Sequence, residues 1–350
     1  DHLDNSLMNK TVTLLEFLET HGATVRSHDM GRRIVKIARE DFLKFEKMEI
    51  AYPFPLQQQA WFAMSITDKT LSDQPVIWFL RFPLDETGKL QQAGRDYFIH
   101  RLFEAAAATS ENTDGQLSAD ALKDNPHVFK PREDRMAVFH ARLSRKLKQP
   151  ASRYYRHTRE YMSGRQGWEQ WNFLGFQGIA DFVERLDENN NESLLANAIR
   201  HLPRQPLEAI CQCLENSPCP LSIATGILQR CQQELDQAQP VGSILAHLVR
   251  AVCMSKSVTI RNQVTAMIMQ SPLASDPEIL GAIAARSWEW LSKIENASIY
   301  LENLAQADQD TFNHCLSDLL FMPGLREKLL SVIRNPQRSD KLAQTFSNMM

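Results

Sequence analysis

The spacing of apolar residues changes character about a third of the way along the chain. Up to residue 108 two periods are mixed, as in an α+β domain. "TVTLLEFLETHG" repeats Val12, Leu15 and Leu18 at helical intervals and stops at Gly22, a residue suited to helix termination. "ATVRSH" and "RRIVKI" are β-rich runs joined through "DMG", where Asp29 and Gly31 supply turn chemistry, so a hairpin is predicted. "REDFLKFEKM" returns to helical spacing with acids in its first turn, and Pro53 and Pro55 block continuation. Two stronger strands are predicted, "AWFAMSI" from Ala60 and "VIWFLRF" from Val76. The second carries Val76, Trp78 and Leu80 on one face and Ile77 and Phe79 on the other, which predicts a central strand in a sheet covered on both sides. One cover is a helix in "GKLQQAGRDYFIHRLFEAAAA", with Phe98, Leu102 and Ala105 on its apolar stripe.

Residues 109–117, "TSENTDGQL", have no period and read as a linker. From about residue 118 the pattern is helical almost throughout. Helical pairs begin near Trp171, Gln205, Val241, Pro277 and Asp308, at spacings of about 34, 36, 36 and 31, and Pro-containing breaks such as "LPRQP", "SPCP" and "SPLASDP" separate the runs. Helix pairs of that length, repeated, are the pattern of an α-solenoid, and with no tetratricopeptide consensus visible the HEAT-like form is expected. The predicted organisation is therefore a mixed α+β domain with a small, mostly antiparallel sheet (8–108), a linker (109–117), a basic helical connector (118–166) and HEAT-like repeats (167–350).

Within the last region, "GWEQWNFLGFQGIADFVERL" (167–186) packs two Trp and three Phe around Gly175 and Gly178. Read as one helix, it places Trp171, Gly175, Gly178 and Phe182 on one face and Phe173, Phe176, Ala180 and Val183 on the next. Both faces are then buried, and the glycines admit a neighbouring backbone that larger side chains would hold off.

The 350 residues contain 43% apolar and 23% charged residues, an ordinary balance for a folded protein. No apolar run approaches the roughly 18–20 residues of a bilayer span, and "DHLDNSLMNK" does not read as a secretory signal, so no membrane partner is expected and the cytoplasm is the expected compartment. Charge is unevenly placed. Between Lys130 and Arg165 eleven Lys or Arg face three acids, a local charge of +8, while the remainder carries 28 basic and 39 acidic residues. In that segment Arg142, Arg145, Lys146, Arg153, Arg156 and Arg159 are interleaved with tyrosines, Tyr155 among them. This mixture suits phosphates with stackable bases or an acidic protein surface, and equally a helical face neutralised by the acidic repeats.

Motifs for established chemistries are missing. Gly88-Lys89 is followed by Leu90, with no Gly five positions upstream, so it is no phosphate loop; G-x-G-x-x-G, G-x-S-x-G and H-E-x-x-H do not occur. Asp85 and Glu86 read as a turn and helix start more simply than as paired carboxylates. Cys211, Cys213, Cys219 and Cys231 lie close in sequence, with Cys253 and Cys315 beyond, but C-x-C-x5-C lacks zinc-ligand spacing, and Cys211 and Cys213 point about 200° apart on a helix. Buried reduced thiols are expected. No catalytic residue, cofactor or metal is assigned.

Three stretches, "RFPLDETGKL", "NPHVFKPREDRMAVFHARLS" and "QPASRYYRHTREYMSGRQGWEQWNFLGFQGIADFVERL", resemble the bacterial domain-of-unknown-function family 3549 over most of residues 8–350. The resemblance implies a cytoplasmic bacterial protein and carries no activity with it. The leading expectation is a non-enzymatic scaffold or adaptor that binds a protein or peptide through its helical-repeat surface. The alternatives are nucleic-acid binding through 130–165, which the net charge of −3 disfavours, and an enzyme whose site leaves no motif.

Overall fold

A computed structural model describes residues 12–70, 72–108 and 122–350. The linker expected at 109–117 lies outside the described residues. Contacts divide the chain into two compact units, one reaching Pro131 and the other formed by Arg132–Leu320 with Gly324–Met350. The described residues contain one four-stranded antiparallel sheet, near the N-terminus, and 16 helices.

In the first unit, helix α1 (Leu14–Thr20) starts at Thr13. The Thr13 hydroxyl accepts the Glu16 N–H, and the Glu16 carboxylate answers the Thr13 backbone, so two otherwise orphaned donors are satisfied. Strands β1 (Thr24–Asp29) and β2 (Val35–Ile37) form the expected hairpin, followed by α2 (Arg39–Glu46), β3 (Gln59–Thr67), β4 (Val76–Pro83) and α3 (Gln92–Ala108). The order is β2-β1-β3-β4, so β4 is an edge strand and the expectation that it would be central is corrected. Its two-faced apolarity has another cause. The outer edge is closed by residues 127–129, where Arg81 N–H donates to His127 O and Phe129 N–H to Phe79 O, while Phe129 packs against Phe79 and Trp61. A covered edge needs the same apolar pattern as an interior strand. On the opposite face Phe62, Met64, Trp78, Leu80 and Phe82 meet Phe42, Phe45 and Phe98 from the helices.

The second unit is helical: α4 (Glu133–Lys146), α5 (Tyr155–Met162), α6 (Phe176–Glu184), α7 (Asn191–Ala198), α8 (Arg204–Leu214), α9 (Leu221–Leu235), α10 (Gly242–Val252), α11 (Val258–Met269), α12 (Pro277–Arg286), α13 (Ile294–Leu304), α14 (Gln309–Leu320), α15 (Arg326–Arg334) and α16 (Asp340–Met349). Starts are set locally. Ser257, Asp276 and Ser339 cap α11, α12 and α16 with side-chain oxygens, and Pro277 occupies the first helical position, where its missing N–H costs nothing. Apart from α5, which packs most on α6, the helices pack chiefly on the helix two places away, giving two layers: α4, α6, α8, α10, α12, α14 and α16 in one, α5, α7, α9, α11 and then α13, α15 in the other. The helices of the basic segment, α4 and α5, pack on α6 and belong to this unit.

The aromatic run at 167–186 is not one helix. A 3-10 turn (Gln170–Phe173) precedes α6, Gly175 is the α6 N-cap, and Phe173, expected to be covered, is 74% exposed. Gly178 does admit a backbone: a methyl there would lie 2.6 Å from Tyr154 O and 2.7 Å from Thr158 Oγ1, because α5 crosses α6 at that point.

Candidate functional site

The basic residues singled out from the sequence divide into those the fold uses and those it presents. Arg142 on α4 donates to Glu184 Oε1 on α6 (2.6 Å), to Asn216 O (2.6 Å) and to Ser217 Oγ (2.8 Å) beyond α8, joining three helices of one layer. Arg145 reaches Glu184 O, Asp187 and Glu188. Arg159 on α5 donates to Asn191 Oδ1 (2.7 Å) and Asn189 O (2.6 Å) at the start of α7. Tyr155 accepts from Asn191 Nδ2 at 2.8 Å and lies beneath the Arg185 guanidinium. Lys146, Arg153 and Arg156 are exposed; Arg153 lies over the exposed Tyr154 ring, and Arg156 pairs with Glu160 at 3.2 Å. Arg142 and Arg145 therefore converge on Glu184, whereas Arg156 and Arg159 converge on a cavity of about 470 Å³ between α5 and α7 that Arg165 also lines.

Beneath this surface the same layer carries an ionic cross-brace that no sequence period signals. Glu215, at the end of α8 and 2% exposed, faces Arg250 of α10 (2.6 Å), Arg286 of α12 (3.1 Å) and Arg135 of α4 (3.5 Å). Burial alone would raise its pKa; the fields of Arg286, Arg250 and Arg135 outweigh that and hold it at about 2. Four helices share one carboxylate. The arrangement is structural chemistry, since every charged group in it is engaged within the layer.

The second layer presents a continuous edge. Glu192 at the start of α7 accepts from Ser222 at the start of α9. The chain entering α9 lies parallel to that entering α11, with Cys219 bridging to Ser255. The starts of α11 and α13 then face one another across a cavity of about 200 Å³, lined by Val258, Arg261 and Asn262 on one side and by Trp290, Lys293 and Asn296 on the other. Along that edge the first residues of α9, α11 and α13, Leu221, Val258 and Ile294, are exposed by 64%, 54% and 49%. Sequence reasoning missed them because a large apolar residue at a helix start reads as core.

All six cysteines are buried, and burial pushes up the thiols of Cys211, Cys213, Cys219, Cys231 and Cys315, Cys315 to about 11 and Cys219 and Cys231 to about 12. Among the described residues no group of three or more His, Cys, Asp or Glu side chains is placed to hold a metal ion. Asp85 accepts from the N–H groups of Thr87 and Lys89 in the turn expected there. No described helix is long and apolar enough to cross a membrane.

The model of a family described as "Protein of unknown function (DUF3549)" matches residues 9–350. No curated protein and no solved structure matches the chain.

Proposed function

The chain belongs to the DUF3549 family, and we propose that it is a non-enzymatic scaffold or adaptor whose helical unit, a HEAT-like α-solenoid, binds a protein or peptide partner along the edge formed by the starts of α7, α9, α11 and α13. The observation that carries this reading is the recurrence of an exposed Leu221, Val258 and Ile294 at the same position in three successive helices of one layer. Single exposed apolar residues are common and need no explanation; three in register along one edge, flanking a cleft, form the kind of surface a partner covers. Six buried cysteines held as thiols fit a reducing compartment, the cytoplasm.

A photo-crosslinking residue at Val258 of the full-length chain, introduced in the native cell, should give a discrete adduct with a partner protein. That adduct should vanish when Leu221 and Ile294 are changed to Asp. Adducts no different from those formed at the exposed Lys341 on the other layer would remove the edge as a binding surface.

A second reading, nucleic-acid binding through 130–165, rests on the exposed Arg153–Tyr154 stack and on the exposed Lys146 and Arg156 of the same segment. Fluorescence anisotropy with short single- and double-stranded oligonucleotides at about 50 mM salt tests it, because phosphate contacts are strongest there. Titrations flat through the micromolar range would end it.

A further inference from the structure

The cavity between α5 and α7 is held open by a defined turn. After α5 the chain reverses through Ser163–Gly167, with Gly164 at φ +75° and Gly167 at φ +85°. A methyl at Gly164 would lie 2.8 Å from the Trp168 ring, so the indole, itself stacked on His201, packs tightly against the turn. That turn carries Arg165 and Gln166 to the rim, opposite Arg156 and Arg159 on α5.

The charges around the cavity do not balance. Arg156, Arg159 and Arg165 face it with Glu160 as the one acid, a surplus of +2. Arg159 is fixed in place by Asn191 and Asn189 and so is pre-oriented, and Glu160 is held by Arg156 and Gln166. Arg165 has no side-chain partner among the described residues. Ser163 adds a hydroxyl at the rim. Guanidinium groups converging from three points bind tetrahedral oxyanions through charge-assisted hydrogen bonds.

We propose that this cavity is a binding site for a phosphate monoester, held by Arg156, Arg159 and Arg165. The surplus of +2 matches the charge of about −1.5 to −2 that such a group carries near neutrality, where a single carboxylate would leave half of it unmet. A concave site suits one compact terminal group. A nucleic-acid backbone needs a track of cations instead, and Arg142 and Arg145, which would extend one, are held by Glu184, Asp187 and Glu188. The site stands independently of partner binding at the α9–α13 edge.

Isothermal titration of the full-length chain with inorganic phosphate, a sugar phosphate, and a short phosphoserine peptide beside its unphosphorylated form tests the proposal. Saturable binding is expected for the phosphorylated probes, weakened about tenfold by Arg165→Glu and less than about twofold by Arg153→Glu, which reverses an equally exposed charge outside the cavity. The Trp168 indole N–H resonance should shift on binding in the parent protein and stay in place in the Arg165→Glu variant. A phosphopeptide that binds more tightly than the sugar phosphate identifies a phosphorylated polypeptide as the source, and the reverse order a small metabolite. Two results would overturn the site: no saturation by any phosphorylated probe, or equal loss from the two reversals.

Discussion

Each unit buries a glutamate, and the two are treated in opposite ways. Glu46, fully buried at the end of α2, receives the Leu14 and Leu15 N–H groups at the start of α1 (2.7 and 2.9 Å) and lies among aromatic side chains. Burial pushes its pKa up to about 7, with the Leu15 and Leu14 N–H groups and the field of Arg95 only partly opposing this. Glu215, equally deep in the helical unit, is held at about 2 by three arginines. The difference follows from how the layers meet. The core of the first unit is filled by Phe42, Phe45, Phe62, Phe82 and Phe98, and the buried Arg95 donates to the Glu46 backbone O and to Asp96, so the Glu46 carboxylate has two backbone donors and one opposing guanidinium field, against three arginines at Glu215. Helices stacked on helices bring long side chains from several elements to one point, so a carboxylate can become a tie.

The sharpest test of that contrast is Glu215→Gln. It leaves three arginines around a neutral amide and should cost the helical unit about 3–5 kcal/mol in chemical denaturation. A loss below about 1 kcal/mol would mean the arginines are satisfied without it. Close helix stacking is tested by Gly178→Ala. The added methyl meets Tyr154 O at 2.6 Å and should destabilise by about 1–3 kcal/mol despite a gain in helix propensity. Gly175→Ala meets only the Tyr154 ring, at 3.3 Å, and should cost less.

The opposite pKa shifts predict opposite pH responses. Glu46 has a folded value of about 7, above its ordinary 4.5, so the folded state holds a proton that the unfolded state releases. Its contribution is complete below pH 4.5 and is lost as pH rises to 7, a fall of about 3 kcal/mol in the first unit. Glu215, depressed from 4.5 to about 2, contributes fully above pH 4.5 and fails as pH falls toward 2. Hydrogen exchange followed separately in residues 14–46 and 204–286 distinguishes the two; parallel pH profiles would contradict the assignment. The smallest expected effect is Lys146→Glu, which should change the melting free energy by less than about 0.5 kcal/mol, since Lys146 is exposed, in contrast to Arg142 a turn away.

Much of the architecture was legible one residue at a time. The "DMG" hairpin, the Asp276-Pro277 start and the helical starts near 205, 241 and 277 follow from local chemistry: caps, turn residues and the refusal of proline inside a helix. Apolar period identifies which residues are covered, but not by what. For that reason β4 read as central when residues 127–129 cover its edge, and residues 167–186 read as one helix when Gly175 begins a second. The basic segment shows the same limit, because eleven cations spread over 36 residues carry no mark of which will find Glu184, Asp187 or Asn191 across the layer.

Composition, helix and strand type, and the basic bias of 130–165 were determined by the sequence alone, because each depends on neighbours within a turn or two of the chain. Only the tertiary structure decided that Glu215 ties four helices, that Arg156, Arg159 and Arg165 surround one cavity, and that Leu221, Val258 and Ile294 share an edge. The Glu215 tie and the exposed edge join residues from different helices, and the cavity is closed by Asn190 and Leu194 from another element. Electrostatic and dispersion energies depend on distance in space, and distance in space between separate helices is set by packing, which no local period encodes.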